Sequence, residues 1–232
     1  MTKAEMYNDT VDKLIDAGRK IGQTKGGNKG PSLIFIAGIH GNEPSGVFAL
    51  KRMFEWLEKQ SAEVCGNIYG LAGNLWALKE KERFHTQDLN RLWNADRIKL
   101  LKEGSLPIEN PDVEEQVELY AMLRKILEED EGPFYFIDLH STSSETIPFI
   151  VVNDSLMNRK FTSQYPLPMI LGVEEYLNGP LLSYINELGY VAFGFEAGQH
   201  DDPLAVDNHF AFSMLSLVYT GILNKRDIDF EH

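Results

Sequence analysis

The sequence is poor in cysteine, in positive charge and in long apolar runs. Cys65 is the single cysteine in 232 residues, so the chain cannot form an internal disulfide and gives no sign of an oxidising compartment. The 22 lysines and arginines are outnumbered by 35 aspartates and glutamates, and the formal charge of -13 opposes binding to nucleic acids or anionic membranes. The first residues are polar and acidic where a signal peptide needs an apolar run, and no apolar segment is long enough to span a membrane. We therefore predict a cytoplasmic protein with no nucleic-acid or membrane partner.

The apolar residues that are present make up 43% of the chain, which fits the core of one large α/β domain. They occur in short runs that alternate with amphipathic segments, and no internal repeat or linker divides them. The predicted helices are 4–20, 44–60, one that begins near Asn110 or Asp112, 154–165, 180–188 and 203–222. The predicted strands include 33–36, 64–72, the first half of 133–144, 147–152 and 190–195.

Two polar stretches are interpreted as exposed. The glycine-rich segment 23–31 lacks the Gly-Lys-Ser/Thr ending of a phosphate loop and precedes a strand, so we predict a flexible turn there. Glu114, Glu115 and Glu118 lie near the start of the predicted helix after residue 110, where the helix dipole favours acids. We predict that these glutamates form a solvated face.

The first polar cluster follows the buried strand 33–36. His40 and Glu43 come after it, separated by two residues, and Pro44 suits the first position of a following helix. Imidazole and carboxylate groups are zinc ligands, and open α/β sheets place their sites at the carboxyl ends of strands. Taken alone, the four residues from His40 to Glu43 also fit a loop histidine beside a solvated or helix-capping glutamate.

A second histidine stands in the same position relative to another apolar strand. His140 follows the strand that begins near Pro133. If the two strands are parallel neighbours, His40 and His140 meet at the same edge of the sheet. Asp138 lies two residues earlier on the same side of the strand, where its carboxylate can orient a ligand histidine from behind.

Glu196 ends the almost wholly apolar strand 190–195. A carboxylate in this position is costly to bury unless it is protonated, paired or near a metal. We expect Phe193 and Phe195 to raise its pKa, as a general base that works near neutral pH requires. The alternative is a partly solvated glutamate at the sheet edge.

Segment 83–93 combines two guanidinium groups with a side-chain amide and a carboxylate among aromatic residues. Guanidinium groups bind carboxylates in a bidentate manner, and in a dry site they also stabilise an oxyanion. The alternative is an exposed loop held by salt bridges. Within this segment, we predict that His85 is a surface histidine and not a ligand.

Four short motifs, taken in this order, resemble the succinylglutamate desuccinylase and aspartoacylase family of zinc carboxypeptidase-like hydrolases. They are His40–Glu43, Asp88–Arg91, Asp138–His140 and Glu196–His200. The similarity extends over about residues 33–220. It implies a mixed, mainly parallel sheet flanked by helices on both faces. It also implies one Zn²⁺ per chain.

The resemblance assigns a role to each candidate residue. The implied zinc ligands are His40, Glu43 and His140, and the implied general base is Glu196. Arg83 would polarise the substrate carbonyl, and Asn90 with Arg91 would hold the substrate's α-carboxylate. In the aspartoacylase branch a tyrosine and an arginine upstream of the general base grip the substrate's acid side chain. The corresponding region, Leu182–Asn186, offers Tyr184 but no arginine, so Tyr184 is the expected substrate contact there.

These roles imply cleavage of the amide bond of a small anionic N-acyl amino acid. Two imidazoles and one carboxylate leave zinc an open position for water, and Glu196 can accept a proton from that water. One alternative is a carboxypeptidase-like hydrolase of a small peptide. Another is a catalytically silent zinc- or metabolite-binding domain, which would have no use for Arg83 or Glu196.

The resemblance also bears on domain organisation. Family members of known specificity usually carry a smaller β-rich domain after the catalytic one, and we expect residues 1–232 to form a single catalytic domain without it. The site would then be more open, or it would be covered by a neighbouring subunit of a homo-oligomer.

Overall fold

The computed structural model describes residues 10, 12, 13, 18–60 and 63–228, which build a mixed sheet with helices on both faces. The strands are β1 (Lys20–Lys25), β2 (Asn28–Ala37), β3 (Cys65–Ala72), β4 (Phe134–Thr142), β5 (Phe149–Val152), β6 (Met169–Leu171) and β7 (Val191–Gln199). Their spatial order is β1-β3-β2-β4-β7-β5-β6. The β1–β3 and β5–β7 pairs are antiparallel, and the other neighbours are parallel. The predicted mixed, mainly parallel sheet is therefore confirmed.

Helices connect the strands and cover both faces of the sheet. They are α1 (Ser45–Lys59), α2 (Leu75–Glu80), α3 (Ala95–Glu103), α4 (Pro111–Glu129), α5 (Leu156–Thr162), α6 (Leu181–Glu187) and α7 (Leu204–Tyr219), with 3₁₀ turns at Leu89–Arg91, Val173–Tyr176 and Lys225–Asp227. Within the described ranges, none of the helices has both the length and the apolar character that crossing a membrane would require.

The central strands are buried on both faces, which explains why their sequences are continuously apolar. In β2, Leu33 and Phe35 pack into a core beneath α1 and α7. Ile34 and Ile36, on the opposite face, pack into a second core beneath α4 and α6. Since successive strand residues point to opposite faces, one short apolar segment supplies both cores.

The carboxyl ends of the three central strands meet at one edge of the sheet. Ala37 of β2 is in register with Leu139 of β4, and His140 of β4 is in register with Glu196 of β7. The prediction that two strands deliver their histidines to a common edge is confirmed. Glu196 reaches the same edge from the next strand.

The predicted flexible turn at 23–31 is wrong. Residues 23–25 end β1 and residues 28–31 begin β2, so the turn itself contains only Gly26 and Gly27. A Cβ on Gly26 would lie 2.2 Å from the Val64 carbonyl oxygen, so the close approach of two backbones requires this glycine. The predicted helix 4–20 lies largely outside the described residues, and Lys20 already belongs to β1.

The predicted solvated face of α4 is wrong at Glu115. Its Oε2 accepts a 2.6 Å bond from Nη2 of Arg19, a side chain that is 1% exposed. Its carboxylate also accepts the backbone N–H groups of Leu75 and Trp76 at the start of α2. Arg19 in turn donates to the carbonyls of Ala72 and Gly73 after β3. This buried network ties α4 to the end of β3 and to α2.

We expect Glu115→Ala to lower the free energy of unfolding by about 3–5 kcal/mol, the range for breaking a buried ion pair on one side. The substitution leaves the Arg19 guanidinium without its buried partner and removes the acceptor of two N–H groups. Chemical denaturation measures the change, with Glu114→Ala as the control because Glu114 is exposed on the same helix. A loss no larger than that of the control would show that Glu118, which also contacts Arg19, is sufficient.

Candidate metal centre

Three buried side chains from two segments of the chain converge at the carboxyl edge of the sheet. His40 lies in the loop after β2, Glu43 lies just before α1, and His140 lies near the end of β4. One donor atom from each residue can be chosen so that all three lie within 4.8 Å of one another. Glu43 is the middle member, because Oε1 is 2.9 Å from Nδ1 of His40 and Oε2 is 3.0 Å from Nδ1 of His140.

The loop between β2 and α1 is shaped by two glycines. Gly38 turns the chain with a φ of +67°, a conformation in which glycine is favoured. Gly41 lies against α2, where a Cβ would be 1.9 Å from the Ala77 carbonyl oxygen. Its N–H donates to the Arg83 carbonyl at 3.4 Å, which brings segment 83–91 beside the loop.

Each imidazole also contacts a further carboxylate through its Nε2 atom. Nε2 of His140 is 2.8 Å from Oδ2 of Asp138, the contact expected from their spacing on β4. Nε2 of His40 is 3.0 Å from Oδ1 of Asp88. Asp88 is a partner of His40 that was not predicted from the sequence. The available signal was its place at the head of the motif Asp88–Arg91, where its side chain also caps the 3₁₀ turn.

This donor set fits a catalytic zinc ion. Both Nδ1 atoms contact the Glu43 carboxylate, and both Nε2 atoms contact carboxylates of other residues. Protein zinc sites use this arrangement, in which an outer carboxylate fixes the tautomer and orientation of each ligand imidazole.

The electrostatics of the triad favour a negative Glu43 carboxylate beside a positive His140. Burial by itself would raise the pKa of Glu43, but hydrogen bonds and charge from His140 and His40 hold it well below its ordinary value. Burial opposes charge on His140, yet Asp138 and Glu43 raise its pKa well above the ordinary value. Such a concentration of buried charge and opposing carboxylates is typical of a cation-binding or catalytic site.

Glu196 lies beside this cluster, and no described hydrogen bond or salt bridge joins it to the three residues. It lies opposite His140 in the β4–β7 register, and its buried Oε2 has no hydrogen-bond partner among the described residues. Burial raises the pKa of its carboxyl group, in the predicted direction. The predicted cause is only partly correct, because Phe193 and Phe195 belong to the core beneath α7, on the other face of β7. A carboxylate with a raised pKa and a free oxygen can take up a proton.

Arg83 reaches the triad, whereas the described side-chain contacts of Asn90 and Arg91 are with other residues. Nη1 of Arg83 is 3.5 Å from Oε1 of Glu43, Nη2 is 3.1 Å from Oδ2 of Asp88, and the side chain is 44% exposed. Asn90 is buried and uses Oδ1 to accept the Leu181 N–H at the start of α6. Arg91 donates to the Asn90 carbonyl and forms no salt bridge within the described chain.

The structure does not bring Tyr184 to the triad. Its ring packs in the core between Trp93 and Tyr120, at centroid distances of 5.8 and 6.4 Å. Burial raises its pKa to about 12, with further contributions from Tyr120 and Tyr190. No described contact joins the Tyr184 side chain to His40, Glu43 or His140. Tyr184, the expected substrate contact, is thus a core residue. His85 is an exposed histidine, as predicted, and its ring contacts that of Trp76.

The sequence is similar to those of known proteins. The family model "Succinylglutamate desuccinylase/Aspartoacylase catalytic domain" matches residues 29–217. A succinylglutamate desuccinylase of Pseudomonas paraeruginosa is 37% identical over 68 residues, which cover 29% of this chain and only 20% of that protein.

Solved structures share the fold over most of the chain. The crystal structure of succinylglutamate desuccinylase from Chromobacterium violaceum has a TM-score of 0.68 at 14% identity, covering 96% of this chain and 77% of that one. The succinylglutamate desuccinylase/aspartoacylase from Rhodobacter sphaeroides has a TM-score of 0.67 at 19% identity, covering 87% and 59%. The match of the family model extends from within β2 to within α7, and the chain therefore belongs to the succinylglutamate desuccinylase/aspartoacylase family.

Proposed function

We propose that this protein is a zinc-dependent amidohydrolase that cleaves a small N-acyl amino acid into a carboxylate and a free amino acid. The observation that supports this proposal most strongly is the buried triad of His40, Glu43 and His140, with Glu196 opposite His140 and its Oε2 without a hydrogen-bond partner in the described part of the chain. A metal-storage site would need the triad but not Glu196. Membership of a hydrolase family supports the same reaction class.

The triad would hold one Zn²⁺, which when bound supplies Lewis acidity that polarises a carbonyl and increases the acidity of water. Glu196 accepts a proton from the attacking water and transfers it to the departing amine, a double role suited to its raised pKa. Arg83 presents an exposed guanidinium edge beside Glu43, where it can stabilise the developing oxyanion.

Arg91 is the proposed anchor for the substrate's carboxylate. Because the amide oxygen of Asn90 is occupied by the Leu181 N–H, only the amide nitrogen of Asn90 can assist. The guanidinium of Arg91 has no acidic partner among the described residues, unlike that of Arg83. A local cation is needed here, since the chain's charge of -13 disfavours an anionic substrate at long range.

Metal analysis combined with a substrate screen tests the proposal. We expect the purified protein to bind one zinc ion per chain, to release free amino acids from N-acyl amino acids, to lose activity with a chelator and to regain it with zinc. Release of C-terminal residues from small peptides would favour the carboxypeptidase-like alternative. Zinc binding without any hydrolysis would favour the silent binding domain.

A further inference from the structure

The ladder between β4 and β7 is interrupted immediately after Glu196. His140 pairs with Glu196, but the next registered pair is Thr142 with Gln199. One residue of β4 therefore lies opposite two residues of β7, and the second of these, Gly198, has a φ of +102°. This is the geometry of a β-bulge, a feature that re-aims side chains and is common beside active sites.

His200 follows the bulge in sequence and makes two contacts with β4. Its N–H donates to the Thr142 carbonyl at 3.0 Å, and its Nδ1 is 2.8 Å from the hydroxyl oxygen of Ser141. The Ser141 side chain is buried, and this imidazole contact satisfies its hydroxyl. The first contact needs only a backbone, but the second depends on the identity of residue 200.

Ser141 is also bonded directly to the triad. Its N–H donates to Oε2 of Glu43 at 3.0 Å, the same oxygen that contacts Nδ1 of His140. The Ser141 N–H therefore acts together with His140 to hold this oxygen of Glu43 in place. A continuous chain of contacts runs from the His200 imidazole through Ser141 to Glu43.

We propose that His200 is a positioning residue for the metal centre. By holding the Ser141 hydroxyl, it fixes the N–H group that orients Glu43 between the two histidines. The inference rests on the proposed function, because it takes Glu43 as a metal ligand. No described contact joins His200 to His40, Glu43 or His140, so it acts through Ser141.

Zinc affinity tests this role without relying on turnover. We expect His200→Ala to weaken zinc binding by about tenfold, at the lower end of the range for partners that orient ligands, as measured by competition with a chromophoric chelator. His200→Asn should bind zinc within about twofold of the wild type, because its amide places a hydrogen-bonding atom near the position of Nδ1. Ser141→Ala should match His200→Ala, and the double variant should be no weaker than either one, since all three lose the same contact.

His85→Ala is the matched control, because His85 is an exposed histidine in contact with Trp76, and its zinc affinity should be unchanged. Thermal unfolding of the metal-free variants identifies any folding defect. If His200→Ala fails to fold, Ser141→Ala and His200→Asn decide the question. Wild-type affinity in His200→Ala or Ser141→Ala, or additive losses in the double variant, would overturn the inference. A wild-type protein that binds no zinc would refute the proposed function as well, whereas an active zinc protein with insensitive variants would refute the role of His200 alone.

Discussion

Glu196→Gln is expected to bind zinc like the wild type while amide hydrolysis slows by about 10²–10⁴-fold, the contribution typical of a positioned general base. Glutamine keeps the shape of the side chain but cannot accept the proton. Glu196 is not a member of the triad, and the substitution removes no hydrogen bond from its unpartnered Oε2. Steady-state kinetics together with metal content per chain measure both halves of the prediction.

The control for this substitution is Glu114→Gln, which makes the same change on the exposed face of α4 and should leave turnover unaltered. If Glu196→Gln hydrolyses substrate at the wild-type rate, Glu196 has no part in proton transfer. If it loses zinc instead, Glu196 is a ligand and the base must be sought elsewhere.

Glu43→Ala should weaken zinc binding by more than about 100-fold and abolish hydrolysis with it. Loss of a partner behind a ligand costs about 10–100-fold in affinity, so loss of a ligand should cost more. Glu43 is also the triad member that contacts both of the others, and its removal leaves the two imidazoles without a common acceptor. Competition with a chelator measures the dissociation constant in each variant.

Asp138→Asn provides a graded comparison for Glu43→Ala. Asp138 is fully buried, and within the described ranges its carboxylate hydrogen-bonds only to Nε2 of His140, so its effect should fall within the range for an outer partner. The ligand assignment would be refuted if Glu43→Ala retained zinc better than Asp138→Asn.

The triad could be predicted from the sequence because local signals determine where each strand ends. His40 and His140 each follow an apolar run, and the parallel arrangement of β2 and β4 then places them at one edge. The contact between Asp88 and His40 has no such signal. It depends on the path of segment 83–91, which Asp112 fixes by accepting the N–H groups of residues 85–87. Asp112 is far from segment 83–91 in sequence, so these hydrogen bonds leave no periodic pattern from which the path of the segment could be predicted.

The errors at Tyr184, Glu115 and β1 have physical causes as well. The resemblance that points to Tyr184 and the charge pattern that places Glu115 on a solvated face do not show what either side chain packs against. Tyr184 fills the core between α4 and α6, and Glu115 neutralises a buried arginine. The edge strand β1 is only half-buried, and without the alternation of a packed strand it resembles a turn in sequence.

The position of β7 bears on how a nascent chain matures. It is the last strand to be synthesised among those described, yet it lies between β4 and β5, so β5 and β6 have no strand neighbour in the larger part of the sheet until it inserts. Pairings between strands so distant in sequence form late, because a long loop must close before any stabilising contact is made. Insertion of β7 would complete the sheet and deliver Glu196 in the same event. Until residues 191–199 are added, β4 has an open edge beside His140, and the carboxylate proposed as the general base is missing from the site.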